Sequence, residues 1–231
     1  MHVSTLVRRC SALLVVLATA SACSDAPMAP RAAERPAFDI DALQPEAARG
    51  GQGNKTALAG SDTDNVLTLT VDPNVSRTYA FGENWIYFPA RSICDPSTSG
   101  YGIGTWDAPC AALQRPVKVT VHWSNKGGHA YARFSPELRF VPTDARSSSR
   151  WVILSLHDHK RIHVLSKYAI LYDAGDSMGW IDESLTDNTL VAWIDPLHNS
   201  VVRRVKHFSG YMVAAGAMEV RGIGGMGDAS Y

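Results

Sequence analysis

Three stretches of this chain carry residues whose types and spacing could do chemistry. The first is His207-Phe208-Ser209, inside RRVKHFSGYMVAAG (203–216). A histidine base, an acyl group and a hydroxyl nucleophile in a row could cut their own peptide bond. Ser209 Oγ would attack the Phe208 carbonyl while His207 takes the proton. The C–N bond would give way to an ester, and water would release a Phe208 carboxylate and a new Ser209 amine. That route needs a distorted peptide bond whose strain is relieved as the ester forms. Gly210 permits an unusual backbone conformation at that point. The competing reading is a plain closing strand, with Phe208 in the core, His207 and Ser209 outward, and Gly210 at a bulge before Tyr211.

The second stretch is LHDHKRIH, with His157, His159 and His163. On an extended strand the three share one face, and His-x-His is a metal-ligand spacing. Arg161 falls on the same face and Lys160 lies beside it, which favours a solvated face or a polar loop. The expectation is therefore no metal, with these three histidines as the candidates to test. The third stretch, DAGDSMGWIDES (173–184), gathers Asp173, Asp176, Asp182 and Glu183. It lacks the alternating oxygen ligands and central glycine of a helical calcium loop and reads as a polar β-turn. No Gly-x-Ser-x-Gly elbow, phosphate-binding glycine loop or His-Glu-x-x-His pair occurs, so no cofactor and no enzyme activity on a separate substrate are expected.

The elements that must position these residues are short strands. In VKVTVHW, Val117, Val119, Val121 and Trp123 alternate with Lys118, Thr120 and His122, which turns one face to a core and one to water. Further β-rich runs are VLTLTV (66–71), WIYFP (85–89), HAYARF (129–134), LRFV (138–141), WVILSL (151–156), YAILY (168–172), TLVAWI (189–194), and SVVRRVKHF leading into GYMVA. Asn125-Lys126-Gly127-Gly128 and Asp195-Pro196 supply turns. Strands at this spacing, with no sustained helical period, predict an all-β fold, an antiparallel β-sandwich spanning 64–217.

The N-terminus predicts export. Arg8 and Arg9 precede an apolar run, Ala12 to Ala18, too short to stay in a bilayer as a helix. Ala20-Ser21-Ala22-Cys23 resembles the bacterial lipobox, in which the cysteine is lipidated and becomes the first mature residue. Residues 1–22 are then a signal peptide and Cys23 carries the anchor. Several acyl chains at about 0.8 kcal/mol per buried methylene would hold it stably. Ser24 after the cysteine resembles the outer-membrane sorting pattern, facing the periplasm or the surface. Residues 23–63 are rich in Ala, Pro, Gly and charge and read as a flexible tether reaching roughly 35 Å. The glycine-rich 218–231 reads as a disordered tail.

Of four cysteines, Cys10 leaves with the signal and Cys23 takes lipid. Cys94 and Cys110 remain to pair in an oxidising compartment. Closing that loop contributes roughly 3 kcal/mol in the chain-entropy account. With 22 basic and 22 acidic side chains, nothing calls for nucleic acid as a partner.

WIYFPARSICDP, FSPELRFVP, YAILYDAGDSMGWIDES and RRVKHFSGYMVAAG, in that order, resemble the ZU-five type β-sandwich of ankyrins, netrin receptors and many bacterial envelope proteins. That family opens on a strand ending in Pro-Ala-Gly; here the turn is Pro89-Ala90-Arg91. The loop from Cys94 to Cys110 has no counterpart in the animal members, so their partners do not transfer. Some members, and the unrelated self-processing domain of a nucleoporin, cleave between Phe and Ser of an His-Phe-Ser motif. The resemblance implies an interaction or spacer module. The expected function is thus non-catalytic: a membrane-anchored envelope lipoprotein with a protein or glycan partner. Glycan contact would run through exposed aromatics such as Tyr101, Trp106 and Trp180. Self-cleavage at Phe208-Ser209 and metal binding are the alternatives.

Overall fold

In a computed structural model of the chain, the described residues are Leu43, 64–143, 150–162, 167–175 and 178–215. The expected signal peptide (1–22), Cys23, His163, Asp176 and the glycine-rich 218–231 lie outside them. Eleven strands occur among the described residues: β1 Asn65–Val71, β2 Arg77–Phe81, β3 Asn84–Phe88, β4 Val117–Lys126, β5 His129–Ser135, β6 Val152–His157, β7 Tyr168–Asp173, β8 Trp180–Ile181, β9 Trp193–Asp195, β10 Ser200–Val205 and β11 Gly210–Ala215. They form two antiparallel sheets, ordered β1-β4-β5-β11-β7-β8 and β2-β3-β6-β10-β9. The sandwich expected from the strand spacing is the fold.

Period-two alternation explains how the layers meet. On β4, Val119 and Val121 are buried while Lys118 and His122 are exposed. Val119, Val121 and Phe134 from one sheet share a core with Phe81, Ile86, Phe88 and Leu154 from the other. β6 and β10 depart from simple alternation, because both faces of the five-stranded sheet are covered at its centre. Its outer face carries a second cluster of Trp85, Trp151, Ile153 and Val202, against which Leu43 packs. The Leu43 carbonyl accepts from Thr78 Oγ1, so a residue within the expected tether is bound to the sandwich.

Several local expectations are corrected. LRFV forms only isolated bridges, Arg139 to His207 and Phe140 to Ile93, in place of a strand. TLVAWI begins in a 3-10 turn, Asn188–Leu190, and only its end enters β9. Arg77–Phe81 and Trp180–Ile181 are strands that the apolar pattern did not mark. Arg91 has φ of +59°, so an arginine holds a left-handed conformation of the kind that suits glycine.

Candidate functional site

His207-Phe208-Ser209 is a crossing between sheets, and the closing-strand reading is corrected accordingly. β10 lies in the five-stranded sheet and β11 in the six-stranded one. Up to Phe208 the chain bonds to the 138–140 segment: Phe140 N–H donates to the Lys206 carbonyl at 2.8 Å, and Phe208 N–H to the Leu138 carbonyl at 2.7 Å. One residue later the partner changes, and Phe134 N–H of β5 donates to the Ser209 carbonyl at 3.1 Å.

Phe208 enters the core as expected, stacked on Phe134 with ring centroids 4.7 Å apart. His207 does not point outward: it is 0% exposed. Its Nε2 lies 3.2 Å from Glu183 Oε1, and since a carboxylate only accepts, Nε2 carries a hydrogen. The ring stacks on Trp106 at 3.9 Å with 15° between planes, and Tyr172 meets it edge-on. Ser209 is half-buried, and its Oγ donates to the Asp173 carbonyl at 2.6 Å. Gly210 sits in regular register opposite Arg133, without a bulge. It is needed for space, since a Cβ there would lie 3.0 Å from Asp173 Cβ and 3.2 Å from the Tyr131 hydroxyl.

Glu183 comes from the acidic stretch, at the start of a 3-10 turn, Glu183–Leu185, capped by the Asp182 side chain accepting from Ser184 N–H. Its Oε2 pairs with Arg203 Nη2. Val201 and Val205 of β10 belong to the inter-sheet core, so by strand alternation Arg203 points inward between them. Arg203 also donates to the carbonyls of Ile170 and Arg204 and lies over the Tyr211 ring, 5.8 Å from its centroid. Burial pushes the Glu183 carboxyl up, but the His207 hydrogen bond and the Arg203 charge outweigh it and hold the group below its ordinary value.

The disulfide between Cys94 and Cys110 forms as expected. The loop it closes folds inward, which corrects the picture of Tyr101 and Trp106 as exposed aromatics. Both are half-buried. The Tyr101 hydroxyl donates to the Phe208 carbonyl while Trp106 covers His207. Burial first, then Glu137 and other acidic neighbours, raises the Tyr101 phenol well above its usual value, so it stays a donor. From beneath, the buried Arg139 donates to three loop carbonyls, Gly100, Ala108 and Pro109. Lys206 ties the same loop to the next turn through Asp107 at 2.7 Å and Asp187 at 2.6 Å. Trp180 is exposed and meets Tyr131 edge-on, apart from the other two aromatics.

The polar set around the triplet is thus Glu183, Arg203, Tyr101, Trp106 and Tyr211, whose hydroxyl donates to the His207 carbonyl. The sequence pointed to Glu183 only as a possible calcium ligand and assigned no role to Arg203 or Tyr211. The signal available was Arg203 midway between Val201 and Val205 at the inward positions of β10.

The histidine run divides. His157 is the last residue of β6 and His159 follows in a loop, so the shared strand face does not form. Asp173, Asp182 and Glu183 likewise serve separate roles, at a strand end, a cap and the buried pair. No helix among the described residues is long and apolar enough to cross a membrane. Comparison with protein-family profiles, with curated proteins and with solved structures gives no match.

Proposed function

We propose that this chain is a non-catalytic envelope lipoprotein: exported through residues 1–22, lipidated at Cys23, and acting as a binding or structural module through its sandwich. The N-terminal pattern supports the anchor, and the four ZU-five-like segments support the module. One observation carries the non-catalytic reading. The triplet best suited to reaction has its groups engaged in holding the fold: His207 by Glu183 and Trp106, the Phe208 carbonyl by Tyr101, and Ser209 Oγ by the Asp173 carbonyl. A surface depression lined by Trp106, Trp151 and Lys206 measures about 250 Å³ including open solvent. The enclosed space within it is about 10 Å³, room for about one water molecule and far below the roughly 300–1,000 Å³ of small-molecule sites.

A second reading, self-cleavage between Phe208 and Ser209, is favoured by a specific geometry. The Tyr101 hydroxyl donates to the Phe208 carbonyl oxygen, one donor aimed where an oxyanion would develop. Against it, Ser209 Oγ faces a carbonyl, which is no base. The test is expression of the full chain in a bacterial host fed labelled palmitate, followed by intact mass. The leading reading expects label that Cys23→Ser removes and a chain unbroken at 208–209, as in Ser209→Ala. Absence of label refutes the anchor, and release of a fragment beginning at Ser209 establishes the second reading.

A further inference from the structure

We propose that Glu83, His157 and His159 form a binding site for a divalent late transition metal ion, with Zn²⁺ as the fitting case. One ligand atom from each lies within 4.8 Å of the others. The three come from two places in the chain that the sheet brings together. Glu83 occupies the two-residue turn between β2 and β3, which Gly82 permits at φ of +63°. Trp85 of β3 pairs with Ser155 of β6, and extending that antiparallel register by two places sets Glu83 opposite His157. The buried Asn84 locks this approach: its Oδ1 accepts the His157 N–H at 2.9 Å.

His159 is directed to the same side by what happens to the residue between the histidines. Asp158 is fully buried, with Oδ2 3.3 Å from His129 Nδ1, while its N–H donates to the Asn199 carbonyl at 2.9 Å. Asn199 also gathers the loop that follows, donating from its side chain to the carbonyls of Asp158 and Lys160. The two histidines therefore flank an inward-turned residue on a loop that is pinned at several points.

The tautomer of His157 is the decisive feature. Its Nδ1 lies 2.8 Å from the His198 carbonyl, and because a carbonyl only accepts, Nδ1 carries the hydrogen. In the neutral ring Nε2 then presents a lone pair, and it faces Glu83 Oε2 at 3.6 Å. Two acceptors facing each other need a cation between them. On a tetrahedral Zn²⁺ with bonds of about 2.0–2.2 Å, two ligand atoms stand roughly 3.4 Å apart, so the observed gap is already close to what the ion needs. A ring N–H held by a backbone carbonyl is also the usual second partner of a metal-ligating histidine. Two imidazoles and one carboxylate suit zinc and its neighbours better than calcium or magnesium, which favour oxygen-only shells. The fourth position is left for water or a partner's side chain.

The competing state is a protonated His157 in a simple ion pair with Glu83. Titration calorimetry of the metal-free full chain with Zn²⁺ separates the two. The expected result is one Zn²⁺ bound per chain, with affinity lowered at least about tenfold in Glu83→Gln and in His159→Ala, both surface changes. Co²⁺ in place of Zn²⁺ should give visible absorption bands of a four-coordinate site, lost in His159→Ala. Absence of saturable binding, or binding that both variants leave unchanged while His163→Ala abolishes it, overturns the proposal.

Discussion

Replacing Glu183 by Gln should destabilise the sandwich more than any change to a surface charge pair. Arg203 is wholly buried and Glu183 nearly so, and among the described residues no other carboxylate pairs with the guanidinium. The substitution keeps the side-chain shape and one acceptor but removes the charge. It leaves a guanidinium in the core facing neutral groups alone: the amide oxygen, the carbonyls of Ile170 and Arg204 and the face of Tyr211. Removing one member of a buried pair costs about 3–5 kcal/mol, against a typical total stability of about 5–15 kcal/mol. Gln should fall at the lower end of that range and Glu183→Leu, which also abandons His207, at the upper. Replacing both charges, as Glu183→Leu with Arg203→Met, should cost less than the two single changes added together, because no unpaired charge is left behind. Urea unfolding followed by tryptophan emission reads this out, since Trp106 stacks on the affected histidine. The midpoint should fall with an unchanged slope. A Glu183→Gln protein within about 1 kcal/mol of wild type, or strict additivity in the double replacement, would refute the view that this pair holds the core together.

The same carboxylate sets an acid limit. Its folded-state value lies below the ordinary one, so its contribution is complete above the usual carboxylate range and is lost as pH falls through the lowered value. Urea midpoints should therefore decline below about pH 4, less steeply in Glu183→Gln; a pH-independent midpoint would contradict this. Removing the disulfide, as Cys94→Ala with Cys110→Ala, should cost roughly 3 kcal/mol and shift Trp106 emission to the red as the loop lifts from His207. Tyr211→Phe deprives the buried His207 carbonyl of its donor and should cost about 1–3 kcal/mol by the same assay. Arg91→Gly should stabilise by about 0.5–1 kcal/mol, the left-handed penalty of roughly 1–2 kcal/mol released less about 0.5–1 kcal/mol of glycine entropy. Destabilisation at that position would show that the arginine side chain makes a needed contact.

The sandwich was legible because its signal is local. Val117 to Trp123 alternate in the sequence as they do in β4, and a period of two needs no knowledge of partners. The disulfide was legible for a different reason, since two cysteines left over in a chain read as exported have each other as the simplest mate. Glu83 illustrates what stayed hidden. It lies 74 residues from His157 in the chain, and only the pairing of β3 with β6 makes them neighbours. Tyr101 and Trp106 misled in the opposite direction. A loop of glycines and prolines reads as exposed, yet Arg139, between the buried Leu138 and Phe140, draws that loop inward through three carbonyls.

Why a sandwich core should hold an arginine, a glutamate and a histidine follows from the path of the chain. A strand that stays in one sheet satisfies its backbone in the ladder, whereas a segment passing between layers exposes carbonyls to a space that water does not enter. His207 faces Arg139 across a bridge whose two hydrogen bonds belong to Lys206 and Phe208, so the His207 carbonyl is directed away from the ladder. Tyr211 supplies its donor, and Tyr101 does the same for the Phe208 carbonyl. The imidazole carried into the interior by this turn then requires its own partner, which is Glu183, and that carboxylate requires Arg203. Each polar group in the cluster answers a need created by the one before it, beginning with the crossing itself. A triplet that reads as base, acyl group and nucleophile is in this chain a solved problem of backbone hydrogen bonding, and any reactivity at Phe208-Ser209 would first have to withdraw Ser209 Oγ from the Asp173 carbonyl.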